Sequence, residues 1–122
     1  FVVTGDTQIC TYMPEREANL MSLSQDILNS EEELDAFIIV GDVAENGMED
    51  EFQRISSYIR DFNTKNFILA PGNHDIRLRE WEQSKNRFYG MMNELNGTTT
   101  EYPNAYYKHV VNGYTFLIQY RA

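Results

Sequence analysis

Three short apolar runs alternate along the chain with stretches in which apolar residues recur every three or four positions. The runs are residues 1–5 (FVVTG), 36–40 (AFIIV) and 66–70 (NFILA). Short runs rich in β-branched and aromatic residues, bounded by turn-forming or polar residues, are typical of buried strands. The sequence therefore predicts three buried strands.

The stretches that follow these runs predict three amphipathic helices. The first extends from Glu15 to about Asn29, the second covers residues 48–62 and the third covers residues 81–95. In the second stretch the apolar residues alternate steps of four and three: Met48, Phe52, Ile55, Ile59 and Phe62. We interpret these aromatic and methionine stripes as faces that pack into the protein core.

Two further apolar runs, residues 105–111 and 114–120, flank Asn112-Gly113. This dipeptide is typical of a two-residue β-hairpin turn. The predicted order is therefore βαβαβα followed by a β-hairpin, which is an α/β fold. Near-continuous apolar strands separated by amphipathic helices indicate a parallel sheet covered on both faces.

A chain of 122 residues is one ordinary domain. We expect residues 1–122 to form a single, truncated domain, because the first and last residues already belong to predicted strands. With 42% apolar residues the chain can bury a core. The lone cysteine, Cys10, cannot form an intrachain disulfide, and we interpret it as an ordinary small residue.

The chain is strongly acidic, with a formal charge of -9. This charge disfavours nucleic acid and anionic membrane surfaces as partners. No apolar run approaches the length of a membrane-spanning helix. A small phosphorylated substrate or a phosphoprotein stays compatible with the charge, because a bound divalent metal ion reverses the local field.

Polar residues follow each of the three predicted strands directly. These segments are Gly5-Asp6-Thr7-Gln8, Gly41-Asp42 and Gly72-Asn73-His74-Asp75. Asn and Asp are also common turn and helix-capping residues, but capping would explain only one such residue in each loop. In an open α/β sheet, ligands bind beyond the carboxyl ends of the strands, so these segments are expected to converge on one edge.

Carboxylates that converge in one crevice repel each other unless a cation lies between them. Carboxylate oxygen, amide oxygen and imidazole nitrogen are ligands of Mg, Mn, Fe and Zn in proteins. The sequence therefore predicts a divalent-cation site at this edge of the sheet.

These segments resemble the motifs of the calcineurin-like metallophosphoesterases. That family has D-x-H after the first strand, G-D with a later glycine after the second, and G-N-H-D or G-N-H-E after the third. The chain shows Asp6-Thr7-Gln8, then GDVAENG at residues 41–47, then GNHD at residues 72–75. The resemblance covers essentially the whole chain and implies the N-terminal part of the family's four-layer sandwich.

The resemblance implies a metal-dependent hydrolase of phosphoester bonds with a two-metal centre and a bridging water that attacks phosphorus. Asp6 would ligate the first metal, Asp42 would bridge both metals and Asn73 would ligate the second. Gln8 stands at the first-metal position where the family usually has histidine. The metal ions would be Mn, Fe, Zn or Mg.

For His74 and Asp75 the resemblance implies catalytic roles. His74 would not be a ligand; it would protonate or stabilise the leaving oxygen. Asp75 would orient the His74 ring. Arg77 and Arg79 would either reach a substrate phosphate or lie on a helix surface.

The chain also departs from the family pattern. The family's later histidines, including a G-H-x-H element, are absent, and the only other histidine, His109, is predicted to be a surface strand residue. We therefore expect this chain by itself to be inactive.

Two alternatives stay open: a catalytically silent member that uses the fold as a binding surface, and a phospho-receiver-like signalling module. The receiver would need a phosphoacceptor Asp at the end of the third strand, which here ends in Pro-Gly-Asn-His. The Asn96-Gly97-Thr98 glycosylation sequon is too short a match to indicate modification. The substrate and the oligomeric state cannot be read from the sequence.

Overall fold

The computed structural model describes residues 1–77 and 80–120. The elements follow the predicted order, and most bounds lie within one or two residues of the predicted ones. They are β1 (Val2–Gly5), α1 (Pro14–Ser30), β2 (Phe37–Val40), α2 (Glu49–Ile59), β3 (Phe67–Ala70), α3 (Trp81–Asn96), β4 (Tyr107–Val111) and β5 (Tyr114–Ile118).

The first three strands form a parallel sheet in the order β1-β2-β3. Gly5 aligns with Val40, and Val40 aligns with Ala70, so the three strands end level with one another. The loops that follow the strands therefore start side by side at one edge of the sheet. This register is what makes a common site possible.

The three helices pack against one face of this sheet. The main hydrophobic cluster combines residues from every helix with the odd-numbered residues of β2 and β3: Phe37, Ile39, Phe67 and Leu69. Consecutive right-handed crossovers between neighbouring parallel strands place their helices on the same side, which explains the placement of α1 and α2. None of the helices within the described residues combines the length and the apolar character that a membrane crossing requires.

The hairpin β4-β5 packs on the opposite face. A second apolar cluster joins Ala36 and Ile68 with Val111 and Ile118 of the hairpin. Val3 stays 59% exposed and Val40 55% exposed. The prediction of a buried first strand is therefore wrong, because β1 is an edge strand of the three-stranded sheet and the second cluster contains residues of β2 and β3 but none of β1.

Side chains bond to the outer edge of β3. Both atoms of the Asn96 amide bond the backbone of Phe67, at 2.8 and 2.9 Å. The Tyr107 hydroxyl accepts from Leu69 N at 3.1 Å and donates to Leu69 O at 2.7 Å. Unpaired strand edges invite pairing with other chains, so these contacts protect β3. The two bonds to Phe67 also engage the side-chain amide of Asn96, the asparagine of the glycosylation sequon.

His109 is half-buried on the inner side of the hairpin, so its prediction as a surface residue is wrong. Its Nε2 lies 3.0 Å from Oδ1 of Asn66, the residue that precedes β3. Odd-numbered residues of β4 face the sheet, and His109 shares that parity with Tyr107 and Val111. Burial lowers the pKa of His109. Cys10, by contrast, is a buried free thiol, as expected of a small core residue.

Candidate metal centre and active site

Backbone hydrogen bonds join the three post-strand loops at the carboxyl edge of the sheet. Asp6 N donates to Gly41 O at 3.1 Å, and Gln8 N donates to Asp42 O at 2.9 Å. His74 N donates to Oδ1 of Asp42 at 3.0 Å. Asp42 thus contacts both neighbouring loops, which brings together the segments that the sequence predicted to converge.

Three of the four predicted metal ligands have left-handed backbone conformations. The φ angles are 50° at Asp6, 43° at Gln8 and 46° at Asp42. Such conformations cost roughly 1–3 kcal/mol each for non-glycine residues and concentrate at functional sites. Their coincidence with the predicted ligands supports a functional role for this edge. Strand geometry ends at Gly5, and residues 6–8 are irregular up to the parallel bridge between Ile9 and Ala44.

Gly72 allows the loop after β3 to approach Asp42. A Cβ atom on Gly72 would lie 2.1 Å from Oδ1 and 2.5 Å from N of Asp42. Any side chain here would displace the carboxylate. Asn73, the fourth predicted ligand, follows directly and is exposed at the same edge.

The donor types of this edge fit a divalent cation that prefers oxygen ligands. Asp6 and Asp42 supply carboxylates, and Gln8 and Asn73 supply amide oxygens. Within residues 1–77 and 80–120, no group of three or more His, Cys, Asp or Glu side chains is placed to hold a metal. Carboxylate and amide oxygens suit Mg and Mn better than they suit Zn, which favours imidazole and thiolate.

Asp75 joins two of the loops from inside the protein. Its Oδ2 accepts from Val43 N at 3.0 Å and from Gly72 N at 2.9 Å, and its Oδ1 accepts from Ala44 N at 2.8 Å. The residue is fully buried. Burial outweighs these three donors and, with the nearby Asp42 carboxylate, raises the pKa of Asp75 to about 6. The Asp75 carboxylate therefore hydrogen-bonds the backbone of the loop after β2 and of the loop after β3.

The ring of His74 is oriented by Glu45. His74 Nδ1 lies 2.8 Å from the backbone oxygen of Glu45. Because a carbonyl only accepts, Nδ1 carries the proton and Nε2 is left for another partner. The expectation that Asp75 orients this ring is corrected, since the Asp75 carboxylate is directed at three backbone N–H groups.

Arg77 is held against the same carbonyl. Its Nη2 donates to Glu45 O and lies 3.5 Å from His74 Nδ1. Of the two alternatives for this arginine, a helix surface does not describe it, since it packs beside the candidate general acid. Arg79 lies outside the described residues.

Arg16 is a part of the site that the sequence did not reveal. Its Nη1 donates to Gln8 O at 3.1 Å and to Oε2 of Glu45 at 2.8 Å. It lies between Glu15 and Glu17 in the first turn of α1, and a single cation between two acidic residues does not form a recognisable sequence motif. Glu45 could have been noticed, because it lies three residues after Asp42 in GDVAENG.

The loop that carries Glu45 is fixed by a buried carboxylate at the start of α2. Glu51 accepts from the backbone N–H groups of Asn46 and Met48 at 2.9 and 3.1 Å. Gly47 has φ +67°, and a Cβ there would lie 2.5 Å from the backbone oxygen of Asp75. The glycine of the GDVAENG motif is therefore required by both conformation and space.

Tyr120 is a second residue that sequence reasoning missed. Its hydroxyl donates to Ile76 O at 3.4 Å, just past the GNHD segment. Its ring centroid lies 6.2 Å from that of Trp81. Burial raises the pKa of Tyr120, and the Asp42 and Asp75 carboxylates add to the rise. An aromatic pair thus stands beside the candidate site.

Cavity volume does not single out the carboxyl edge of the sheet as the site. A cavity of about 210 Å³ opens beside Asp6 and Arg16. A larger one of about 600 Å³ lies on the hairpin, and another of about 460 Å³ lies between α2 and α3. The site is identified by the convergence of its polar groups.

The calcineurin-like phosphoesterase family model matches residues 1–121. No curated protein matches the chain. The family match covers nearly the whole sequence and includes every predicted site residue, and it argues against the phospho-receiver alternative.

Proposed function

Because the chain belongs to the calcineurin-like phosphoesterase family, we propose that it is a metal-dependent hydrolase of phosphoester bonds. The observation that carries the proposal is the junction of loops at Asp42. Its backbone oxygen accepts from Gln8, its carboxylate accepts from His74, and Gly72 leaves space for that carboxylate.

Asp6, Gln8, Asp42 and Asn73 are the residues that would hold two divalent metal ions. When bound, such a pair supplies charge neutralisation and Lewis acidity for displacement at phosphorus. The oxygen-rich donor set favours Mg or Mn, although Fe and Zn belong to the same proposal. The left-handed conformations at Asp6, Gln8 and Asp42 support this assignment, because backbone conformations of this cost concentrate at functional sites.

His74 is the proposed general acid. Its Nδ1–H is engaged by the Glu45 carbonyl, so the acid is the ring with both nitrogens protonated; Nε2–H would pass its proton to the leaving oxygen and leave the neutral ring with Nδ1–H. A positioned general acid contributes about 10²–10⁴ in rate. Asp75 supports this role indirectly, because it fixes the backbone of the loops on either side of His74.

A second candidate function is a catalytically silent binding domain. The observation that favours it is the weak donor set, with only two carboxylates and the amide of Gln8 in place of an imidazole. The two candidates differ in one measurable respect, namely metal-dependent turnover. Both are compatible with a small phosphorylated ligand or a phosphoprotein.

The deciding experiment measures hydrolysis of p-nitrophenyl phosphate and bis(p-nitrophenyl) phosphate by the natural full-length protein, with Mn²⁺ and with excess chelator. We expect turnover that requires metal and distinguishes monoester from diester. Asp42→Asn should remove metal binding, and His74→Gln should lower turnover about 10²–10⁴-fold while metal content is unchanged. Stoichiometric metal binding without turnover on either ester would favour the silent binding domain.

A further inference from the structure

Arg16 connects two loops of the site through one nitrogen atom. Nη1 donates to the backbone oxygen of Gln8 in the loop after β1 and to the carboxylate of Glu45 in the loop after β2. The two side chains of this ion pair are 27% and 20% exposed, so the contact is largely shielded from solvent. The two loops have different candidate roles. The first carries Gln8, a predicted metal ligand, and the second carries Glu45, which orients the His74 ring.

The contact controls which part of Glu45 meets His74. With Oε2 bound to Arg16, Oε1 lies 3.7 Å from His74 Nδ1, which is beyond hydrogen-bond distance. The ring bonds the carbonyl of Glu45 at 2.8 Å instead, and Arg77 donates to the same carbonyl. Without the guanidinium, the carboxylate would be free to turn toward Nδ1 and compete with that carbonyl.

We propose that Arg16 is a positioning residue that holds the backbone at Gln8 and the Glu45–His74 contact in register. The inference rests on the proposed function, because its rate readout requires phosphoester hydrolysis. Ion pairs of this exposure contribute little to stability. Misplacement of a reacting group by about 1 Å, however, can cost about 10²-fold in rate. The main effect of Arg16 is therefore on geometry.

Lysine should replace Arg16 in part. Both hydrogen bonds come from the same nitrogen, so a single ammonium group that reaches the two oxygens can reproduce them. Methionine has a similar length and no donor. The pair Arg16→Lys and Arg16→Met thus separates the cation from the packing of the side chain. Arg54→Met is a matched control, because Arg54 forms an ion pair of the same kind, with Glu17 at 3.0 Å between α1 and α2, and within the described residues its guanidinium bonds only Glu17.

The test uses the natural full-length protein and records long-range ¹H–¹⁵N spectra of the His74 ring at one fixed pH, backbone amide spectra of residues 6–10, and kcat and KM on p-nitrophenyl phosphate. For Arg16→Met we expect shifts in both the ring and the amide signals, with kcat about tenfold lower and KM within about twofold. Arg16→Lys should restore kcat to within about threefold of the unmodified protein. Arg54→Met should change none of these.

Unshifted His74 ring signals in Arg16→Met would overturn the proposal, and so would equal effects of the Lys and Met variants. If the unmodified protein shows no turnover, the proposed function fails, and the spectra alone decide the role of Arg16. If Arg16→Met does not fold, Glu45→Gln serves in its place. It removes the charge that Arg16 binds, keeps the backbone carbonyl and should shift the same two sets of signals.

Discussion

A methyl group on Gly72 would come within 2.1 Å of the Asp42 carboxylate. The two residues lie 30 positions apart in sequence, yet the side chain of one requires the absence of a side chain on the other. The glycine of the GNHD segment thus acts on the candidate metal centre through the space it leaves open.

This relationship predicts that Gly72→Ala displaces Asp42 and weakens metal binding. Overpacking of this kind costs about 1–3 kcal/mol in the free energy of unfolding. Mn²⁺ affinity, measured by calorimetry, should fall together with stability, measured by urea unfolding. The control is Gly90→Ala on the exposed side of α3, where a Cβ meets nothing within 4 Å. That change should raise helix stability by up to about 1 kcal/mol and leave Mn²⁺ affinity unchanged. Equal Mn²⁺ affinity in both variants would contradict the steric argument.

The structure explains why the sequence could predict the convergence of the three loops and not the contacts that support them. Asp6, Asp42 and Asn73 follow strands whose apolar pattern is local, and the parallel register brings the strand ends together. Arg16 and Glu45 meet only because α1 and the loop after β2 pack side by side. The periodicity of apolar residues does not predict such a contact, since the contact depends on tertiary packing.

The same limit applied to the burial of individual residues. Val3 and His109 each lie on a strand that was predicted correctly, but their exposure depends on which part of the sheet the hairpin covers. The role of Asp75 was misassigned for a related reason. Sequence proximity suggested the neighbouring His74 ring, whereas its carboxylate bonds backbone groups of Val43 and Ala44, more than thirty positions away.

For Asp75 we predict that substitution lowers the free energy of unfolding, because its carboxylate bonds backbone groups. Asp75→Asn replaces one acceptor oxygen with an N–H₂ group that faces a backbone N–H donor, which costs about 1–3 kcal/mol. Urea unfolding should show this loss, while in the folded protein the His74 ring keeps the tautomer with the proton on Nδ1, because that proton is held by Glu45 O. Asp26→Asn, at an exposed position of α1, is the control and should be near neutral. A change of the His74 tautomer in Asp75→Asn would show that Asp75 orients the ring directly.

His109 predicts a pH dependence of stability. Burial lowers its pKa in the folded protein below the ordinary value of 6.5. The unfolded chain therefore binds more protons than the folded one just below that pH, so this contribution is present above 6.5 and is lost as the pH falls. His109→Gln keeps a donor for Asn66 and removes the titration. Its free energy of unfolding should fall less than that of the unmodified protein between about pH 7.5 and about pH 5.5. Other titrating groups, Asp75 included, are common to both proteins, so identical pH slopes would show that His109 does not contribute.

Gln8 predicts a change in metal preference. Imidazole is a stronger ligand than a carboxamide for Zn, whereas Mg favours oxygen ligands. The backbone at residue 8 has φ 43°, a left-handed conformation in which histidine is among the better tolerated residues. Gln8→His should therefore fit the existing backbone, which is held by Asp42 O and Arg16 Nη1. If Gln8 lies in the first-metal position, Gln8→His should raise the affinity of that site for Zn more than for Mg.

The readout is competition between the two ions in a titration against a chelator, which does not depend on turnover. Gln53→His, an exposed change on α2, corrects for adventitious binding of Zn to a surface histidine. If Gln8→His and Gln53→His show the same Zn/Mg preference, Gln8 lies outside the set of ligands and the metal centre depends on Asp6, Asp42 and Asn73 alone.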